Sequence, residues 1–305
     1  MYRRILNFSF FLILASLLSR TSNAQIIIDG FTDATNDRFT NSSSFVGAGF
    51  DLTGIGNGAG WSTLISNNVI ITANHSRATG ISSFYESNDP NPPSINRSVG
   101  PGQRIGTTDL YLAVLDSPLP PSIKFYDFAT EAISAPPFDP DTNPGFSAAG
   151  SFQNENAFLF GVSPTVRTNA REDQAVGRNR ISGYLEDLPF TTGPLAGTES
   201  DFLILLNDAP SDPDFVQHEA LLQGGDSGAP FFVEVNGELQ LLGINSFNGA
   251  TGDGTQLSGI SYIGNYADEI NAFISANAVP EPGVLGVGLI AMIGLSTRRR
   301  RSLAS

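Results

Sequence analysis

Short apolar stretches separated by turn residues dominate the chain, and long helical periods are scarce. The stretches that predict strands are 45–50, 61–65, 69–73, 110–115, 157–162, 202–206, 229–235 and 239–246. Turn residues lie between them, and Asn236-Gly237 is a strong hairpin signal. Many short strands at this spacing are typical of an all-β barrel or sandwich. One amphipathic helix is predicted over 266–276, where Tyr266, Ile270, Phe273 and Ile274 share a face.

A proline-rich stretch divides the body into two halves. Seven prolines occur between Pro118 and Pro144, with little strand-like alternation. We therefore expect an N-terminal barrel at about 40–117, a linker at about 118–145 and a C-terminal barrel at about 146–265, followed by the helix at 266–277. The body as a whole occupies residues 25–277.

Both ends of the chain have the layout of targeting segments. Arg3 and Arg4 precede an apolar run at 5–18, and the small residues at 22–24 suit signal peptidase, so residues 1–24 are predicted to be a secretory signal peptide. A membrane anchor is the alternative. At the other end, a Pro-Glu-Pro motif at 280–282 leads into 14 apolar and small residues at 283–296 and four arginines at 298–301. That run is shorter than the roughly 20 residues of a comfortable membrane span.

Composition and charge exclude several classes of function. The chain has no cysteine, which excludes a disulfide scaffold, a thiol enzyme and a cysteine-ligated metal site. The formal net charge is −14. Leaving out residues 1–24 and 281–305 removes one acid and seven bases, so the body keeps 29 acids and 9 bases, a charge of about −20. Nucleic acid is therefore not expected as a partner.

No cofactor or metal is expected. The chain has two histidines and no His-Glu-x-x-His pattern for zinc. Asp208, Asp212 and Asp214 could together hold calcium, but a solvated acidic loop is the preferred interpretation.

A glycine-rich segment carries the first candidate for chemistry. Residues 223–230 have the sequence QGGDSGAP, in which Ser227 lies between Asp226 and Gly228. A serine hydroxyl becomes a nucleophile when a base removes its proton and donors stabilise the resulting oxyanion. Glycines beside it let consecutive backbone N–H groups turn toward one point. Taken alone, the segment could equally be a turn in any β protein.

Two further segments supply a base and an acid. His75 follows the predicted strand 69–73, where the scaffold holds an imidazole, a group suited to general base catalysis. Asp109 precedes the apolar strand 110–115, and a carboxylate is what fixes the tautomer of an imidazole. A structural histidine and a turn-capping acid are the alternatives.

In the order His75, Asp109, Ser227 these segments resemble the trypsin/chymotrypsin superfamily of serine peptidases. The motifs are Thr-Ala-Asn-His at 72–75, Asp-Leu-Tyr-Leu-Ala at 109–113, Gly-Asp-Ser-Gly-Ala-Pro at 225–230 and Gly-Ile-Asn-Ser-Phe at 243–247. The resemblance spans roughly 45–277. It implies an all-β double β-barrel, trypsin-like, with a short C-terminal helix. The two six-stranded barrels would enclose the active site in a cleft.

The resemblance also implies a role for each site residue. His75 would be the general base, Asp109 its orienting acid and Ser227 the acylated nucleophile, while the N–H groups of Gly225 and Ser227 would form the oxyanion hole. Leu221 would form the floor of the specificity pocket. The remaining pocket residues would form its wall: Ser246, Phe247 and Asn248. An apolar floor argues against cleavage after Lys or Arg.

Departures from the pattern concern the neighbours of these residues. Asn74 and Ala229 replace small residues, and no disulfide braces the loops. In the family, the counterpart of Asp226 pairs with a newly cut Ile or Val N-terminus. Here either Ile26, exposed by trimming, or a side chain such as an arginine would have to serve.

The C-terminal tail resembles the PEP-CTERM sorting signal, which an exosortase cleaves in the envelope of Gram-negative bacteria. Residues 279–305 carry the resemblance, and an uncleaved anchor is the alternative. The combined expectation is an exported serine endopeptidase, secreted or held in the cell envelope, that acts on protein or peptide substrates. Signal peptidase and exosortase would process it, and the tail would attach it transiently to the membrane. The competing interpretation is an inactive, peptidase-like binding protein of the envelope or matrix.

Overall fold

A computed structural model describes residues 25–89, 91, 93–139, 141–143, 145–277 and 279. The predicted signal peptide and the predicted sorting tail, apart from Val279, lie outside the described residues. The strands are β1 Ile27–Ile28, β2 Ile55–Asn57, β3 Trp61–Leu64, β4 Val69–Ala73, β5 Ile81–Tyr85, β6 Ser94–Arg104, β7 Leu110–Leu115, β8 Asn156–Val162, β9 Gln174–Arg180, β10 Gly183–Phe190, β11 Thr198–Leu206, β12 Ala220–Leu221, β13 Pro230–Val235, β14 Glu238–Ala250 and β15 Gln256–Tyr262. The helices are α1 Asp33–Asn36 and α2 Ala267–Asn277.

The first half forms a closed six-stranded barrel. Its strand order is β2-β3-β4-β7-β6-β5, and pairing of Asn57 with Ser83 closes the circle. β4 and β7 are fully paired from Val69 opposite Val114 to Ala73 opposite Leu110. This register places the residues that follow β4 beside the residue that precedes β7. His75 and Asp109 are therefore brought together by the barrel.

The second half forms a seven-stranded antiparallel sheet that curls on itself. Its order is β10-β11-β15-β14-β13-β8-β9. The two edge strands, β9 and β10, are joined in the chain by Ile181 and Ser182, so the sheet must curl to bring its edges together. Asn179 of β9 donates to the carbonyl of Leu206 in β11 at 3.0 Å, across that closure. The predicted all-β double-barrel class is confirmed, although the second barrel has seven strands where the resemblance implied six.

Segments outside the barrels tie the two halves together. In the N-terminal segment, Asn36 donates to the carbonyl of Val176 in the second barrel at 2.9 Å, and Arg38 donates to that of Ile55 in the first at 3.3 Å. The predicted C-terminal helix is confirmed as α2, which buries Ile270 and Phe273 in the same apolar cluster as Leu112 of the first barrel. The cleft between the barrels is thus braced at both ends of the body.

Two expectations about local structure are wrong. Residues 45–50 are turns: the N–H groups of Ala48 and Phe50 donate to residues three positions earlier, and Gly47 lies against the Phe45 ring, where a Cβ would be 2.8 Å from a ring carbon. Residues 94–104, for which the sequence pattern predicted no strand, form the 11-residue strand β6. Its alternating exposure reflects one face on the barrel and one face in water.

The predicted hairpin at Asn236-Gly237 is confirmed. Both residues have positive φ, 54° and 84°, as a two-residue turn that matches the twist of its strands requires.

Among the described residues, no helix has the length and hydrophobicity needed to cross a bilayer.

Candidate active site

His75 and Asp109 form a close, buried pair. His75 Nδ1 lies 2.8 Å from Asp109 Oδ2 and 3.0 Å from Oδ1, and the backbone N–H of His75 donates to Oδ1 at 2.9 Å. The Asp109 side chain is completely buried, and that of His75 is 9% exposed. A carboxylate facing Nδ1 favours the tautomer with its proton there, which leaves Nε2 free to accept a proton.

Ser246 completes the shell around Asp109. Its hydroxyl donates to Asp109 Oδ2, and its side chain is almost fully buried in β14. The sequence suggested Ser246 as part of the pocket wall, and the structure adds this direct contact with the acid. The backbone N–H of His75, its ring and the Ser246 hydroxyl together satisfy a buried carboxylate that would otherwise be costly.

Asn74, the atypical residue before the histidine, is turned toward an arginine. Its Oδ1 accepts from Arg77 Nη2 at 2.6 Å and from Nε at 3.1 Å. The Arg77 guanidinium also lies 4.3 Å from the centroid of the Tyr111 ring. Asn74 therefore braces the loop after β4 and leaves the histidine ring unobstructed.

The loop that carries Ser227 is anchored beside this pair. Gly228 N–H donates to the carbonyl of Asn245 at 2.9 Å, and Asn245 N–H donates to that of Ala229 at 2.9 Å. Asn245 directly precedes Ser246, so β14 links the serine loop to Asp109. Gly228 has φ of 89°, and a Cβ there would lie 2.8 Å from Thr72 Oγ1 in β4. Only glycine permits this approach of the two barrels next to Ser227.

Ser227 itself is partly exposed and has no hydrogen bond to another described residue. Its hydroxyl is therefore available, and the bond to His75 Nε2 that catalysis would need is not formed in this state. Such bonds are often long or misaligned in free enzymes and tighten with substrate. The backbone N–H groups of Gly225 and Ser227 also donate to no described acceptor, so both remain available for an oxyanion.

Asp226 is buried without a charged partner among the described residues. Its two carboxylate oxygens accept from the N–H groups of Val162 and Gln223, both at 2.7 Å. Burial, only partly offset by these two bonds, raises the pKa of Asp226 to about 8. No arginine of the described residues forms an ion pair with it.

Ile26 lies directly beside Asp226. Its N–H donates to the carbonyl of Val162 at 3.0 Å, and the residue is 1% exposed. A Cβ added to Gly161 would be 2.6 Å from Asp226 Oδ1 and 2.8 Å from the Cβ of Ile26, so both flank the same glycine. Pairing of Ile27 with Leu221 fixes this placement. Of the two partners that the sequence left open, Ile26 is the one next to the carboxylate.

The expected pocket residues lie on β12 and β14, which belong to different sheets. Leu221 is buried in β12, and the side chain of Asn248 in β14 donates to the carbonyl of Leu222 at 2.9 Å. The Phe247 ring packs against Phe190 and Phe202 with ring centroids 5.2 and 5.1 Å apart. Phe247 thus packs into an apolar cluster of the second barrel that does not include Leu221. Two open clefts, of about 650 and 630 Å³, flank α2 and contain none of these residues.

No described group of acidic or histidine side chains has the arrangement of a metal site. In the 208–219 region, Arg180 pairs with Asp214 at 2.8 Å, and Glu219 accepts from the backbone of Val216 at 3.0 Å. Burial and neighbouring acids raise the pKa of both Asp208 and Glu219. Asp214 and Glu219 thus bind an arginine and a backbone N–H of the protein.

Comparisons with known proteins add a likeness to solved structures. No protein-family model matches the chain, and no curated protein matches it. The chain is similar to the crystal structure of the active form of the Rv3671c protease from M. tuberculosis, with 16% sequence identity and a TM-score of 0.43. The alignment covers 73% of this chain and 75% of that chain. The functional proposal therefore rests on the geometry of the site.

Proposed function

We propose that this chain is an exported serine endopeptidase that cleaves peptide bonds through an acyl-enzyme intermediate. The observation that carries the proposal is the buried Asp109, which contacts His75 at 2.8 Å and is linked through β14 to the loop of Ser227. An acid, an imidazole and an unbonded serine at the meeting point of two barrels supply the three groups that nucleophilic acyl transfer requires.

Each residue has one task in the proposed reaction. His75 Nε2 takes the proton of the Ser227 hydroxyl as the oxygen attacks the scissile carbonyl, and Asp109 stabilises the imidazolium that forms. The N–H groups of Gly225 and Ser227 donate to the oxyanion. His75 then gives its proton to the leaving amine. Water attacks the acyl-enzyme with the same base, and Ser227 is regenerated.

The direct test is labelling with a fluorophosphonate, which reacts with an activated serine. The phosphonyl adduct should be found by mass spectrometry on the peptide that contains Ser227. Denatured protein should not react, because the hydroxyl is activated only when His75 is positioned. An unlabelled native protein would support the alternative, a binding protein with a peptidase fold.

Substrate preference should follow the apolar floor that Leu221 would form. We expect cleavage after apolar residues, and about 100-fold less cleavage after Lys or Arg, because burying an unpaired charge costs several kcal/mol. Leu221→Ala should enlarge the floor and raise kcat/KM for aromatic over smaller apolar side chains by about 10-fold. Mass spectrometry of a digested peptide library measures both. Preferred cleavage after Lys or Arg would contradict this pocket assignment.

Export and sorting complete the proposal for the two ends of the chain. The side chain of Asn67 donates to the carbonyl of Val279 at 2.8 Å, so residue 279 lies at the β3–β4 turn. Signal peptidase would cut after Ala24, and a sorting enzyme near Glu281. Intact-mass measurement on protein from its native host should show a species without residues 1–24 and without the arginine cluster. A species that still ends at Ser305 would identify the tail as an anchor.

A further inference from the structure

Trp61 connects the first barrel to the serine loop of the second. It is the chain's one tryptophan and the first residue of β3, and it is 1% exposed. Its indole Nε1 donates to the carbonyl of Gly225 at 3.0 Å, across 164 positions of sequence. None of the sequence motifs suggested a role for this residue.

The bond fixes one peptide group beside the oxyanion donors. The carbonyl of Gly225 is held by Trp61, and the N–H of the same peptide, on Asp226, donates to Gln223 at 3.1 Å. Gly225 has φ of 105°, a conformation in which glycine has wide freedom, and it follows another glycine. Holding both ends of the 225–226 peptide removes much of that freedom. The orientation of the Gly225 N–H, one of the two proposed donors, then depends on this anchor.

The environment of Trp61 makes the anchor firm. Its ring belongs to the apolar cluster that contains Phe45, Ile65 and Ala73, so a broken indole bond could not be replaced by water without rearrangement. The indole N–H of Trp61, a residue that is 1% exposed, would then be buried without a partner. The bonded orientation of the loop is therefore strongly preferred.

We propose that Trp61 is a positioning residue for the oxyanion hole, through which the first barrel holds the second barrel's donors in place. This inference rests on the proposed peptidase function. A tryptophan that merely fills the core would stabilise the fold equally well without its N–H. The two roles therefore differ in what deletion of that single hydrogen bond does to the rate.

The test compares Trp61→Phe with Tyr126→Phe. Tyr126 lies in the same apolar cluster, is 1% exposed and donates to the carbonyl of Asp51 at 3.0 Å, so its variant also deletes one bond from an aromatic side chain to the backbone. Trp61→Phe should lower kcat about 10- to 100-fold with KM within about twofold, since full loss of an oxyanion donor costs about 10²- to 10³-fold. Tyr126→Phe should leave both constants within about twofold. Equal losses of kcat in both variants would overturn the positioning role.

Hydrogen exchange supplies a readout that needs no turnover. The peptide spanning 222–230 should exchange at least about 10-fold faster in Trp61→Phe than in the wild-type protein. In Tyr126→Phe its exchange rate should be the same as in the wild-type protein. Unaltered exchange in Trp61→Phe would overturn the inference. Wild-type protein that neither hydrolyses peptides nor reacts with fluorophosphonate would refute the peptidase function, and exchange would still decide whether Trp61 orders the loop.

A second substitution tests the positioning role even if the Trp61→Phe protein fails to fold. Because the chain has one tryptophan, biosynthetic replacement by its benzothiophene analogue deletes the N–H of Trp61 alone and keeps the ring shape. This protein should show the same selective loss of kcat and faster exchange at 222–230. Full activity with normal exchange would refute the positioning role.

Discussion

Replacing Ser227 by alanine should abolish hydrolysis of an unstructured protein such as casein, with a loss of kcat of at least about 10⁴-fold. The proposed triad acts as a unit, so loss of the nucleophile removes the acyl-enzyme route and leaves the weak catalysis of binding and oxyanion donors. The Ser227 hydroxyl has no hydrogen bond in the described structure, so its removal should leave the unfolding temperature within about a degree or two. Casein hydrolysis, fluorophosphonate labelling and thermal unfolding measure these outcomes.

Two comparisons make the Ser227→Ala result specific. His75→Ala should cause a loss of similar size, and the double variant should lose no more than either single one, because the groups work together. Ser122→Ala removes an exposed serine that bonds Glu86, and it should hydrolyse and label like the wild-type protein. Substantial hydrolysis by Ser227→Ala would show that the reaction uses another nucleophile.

Buried strands were the part of the fold that the sequence predicted best. The bounds of β4 and β7 agree with prediction to the residue, because a strand covered on both faces is a continuous apolar run bounded by turns. β6 was missed because Ser, Asn, Arg, Gly and Pro fill a strand with one face in water. The stretch 45–50 was wrongly predicted as a strand. Its phenylalanines and glycines form a series of turns instead.

Some features of the candidate site could be predicted from the local sequence, and others depend on contacts between positions far apart in the chain. Ser227, His75 and Asp109 each stand in a short motif whose residue types suggest their chemistry. The contacts of Ser246 with Asp109 and of Trp61 with Gly225 join positions 137 and 164 residues apart, and no local pattern encodes them. They follow from the register of β14 and from the packing of the two barrels. Such contacts become visible only when the chain is folded.

Asp226 links the start of the body to the serine loop, and it supports a prediction about maturation. Burial raises the pKa of this carboxyl from its ordinary 3.8 to about 8, and the described residues provide no cation. Removal of Gln25 would place the α-ammonium group of Ile26 beside it, since both residues flank Gly161. Breaking a buried pair of this kind typically costs about 3–5 kcal/mol. A chain that begins at Ile26 should therefore be more stable near neutral pH, and more active, than one that retains Gln25.

The pH dependence of stability tests whether Asp226 is the group through which removal of Gln25 stabilises the chain. In a chain that retains Gln25, folded Asp226 keeps a proton between pH 3.8 and about 8 that the unfolded chain has released. Its contribution to stability is full below the lower value and is lost as the pH rises to the upper one, by at most about 1.4 kcal/mol per pH unit. Asp226→Asn cannot ionise, so its chain should lack this slope, and a chain beginning at Ile26 should lack it because the ammonium group offsets the charge. Urea unfolding of the three proteins from pH 5 to pH 8, with kcat/KM measured at pH 7.5, makes the comparison. The same slope in all three would show that Asp226 is not its source, and a Gln25-retaining chain as active as the one beginning at Ile26 would exclude a role for the new N-terminus.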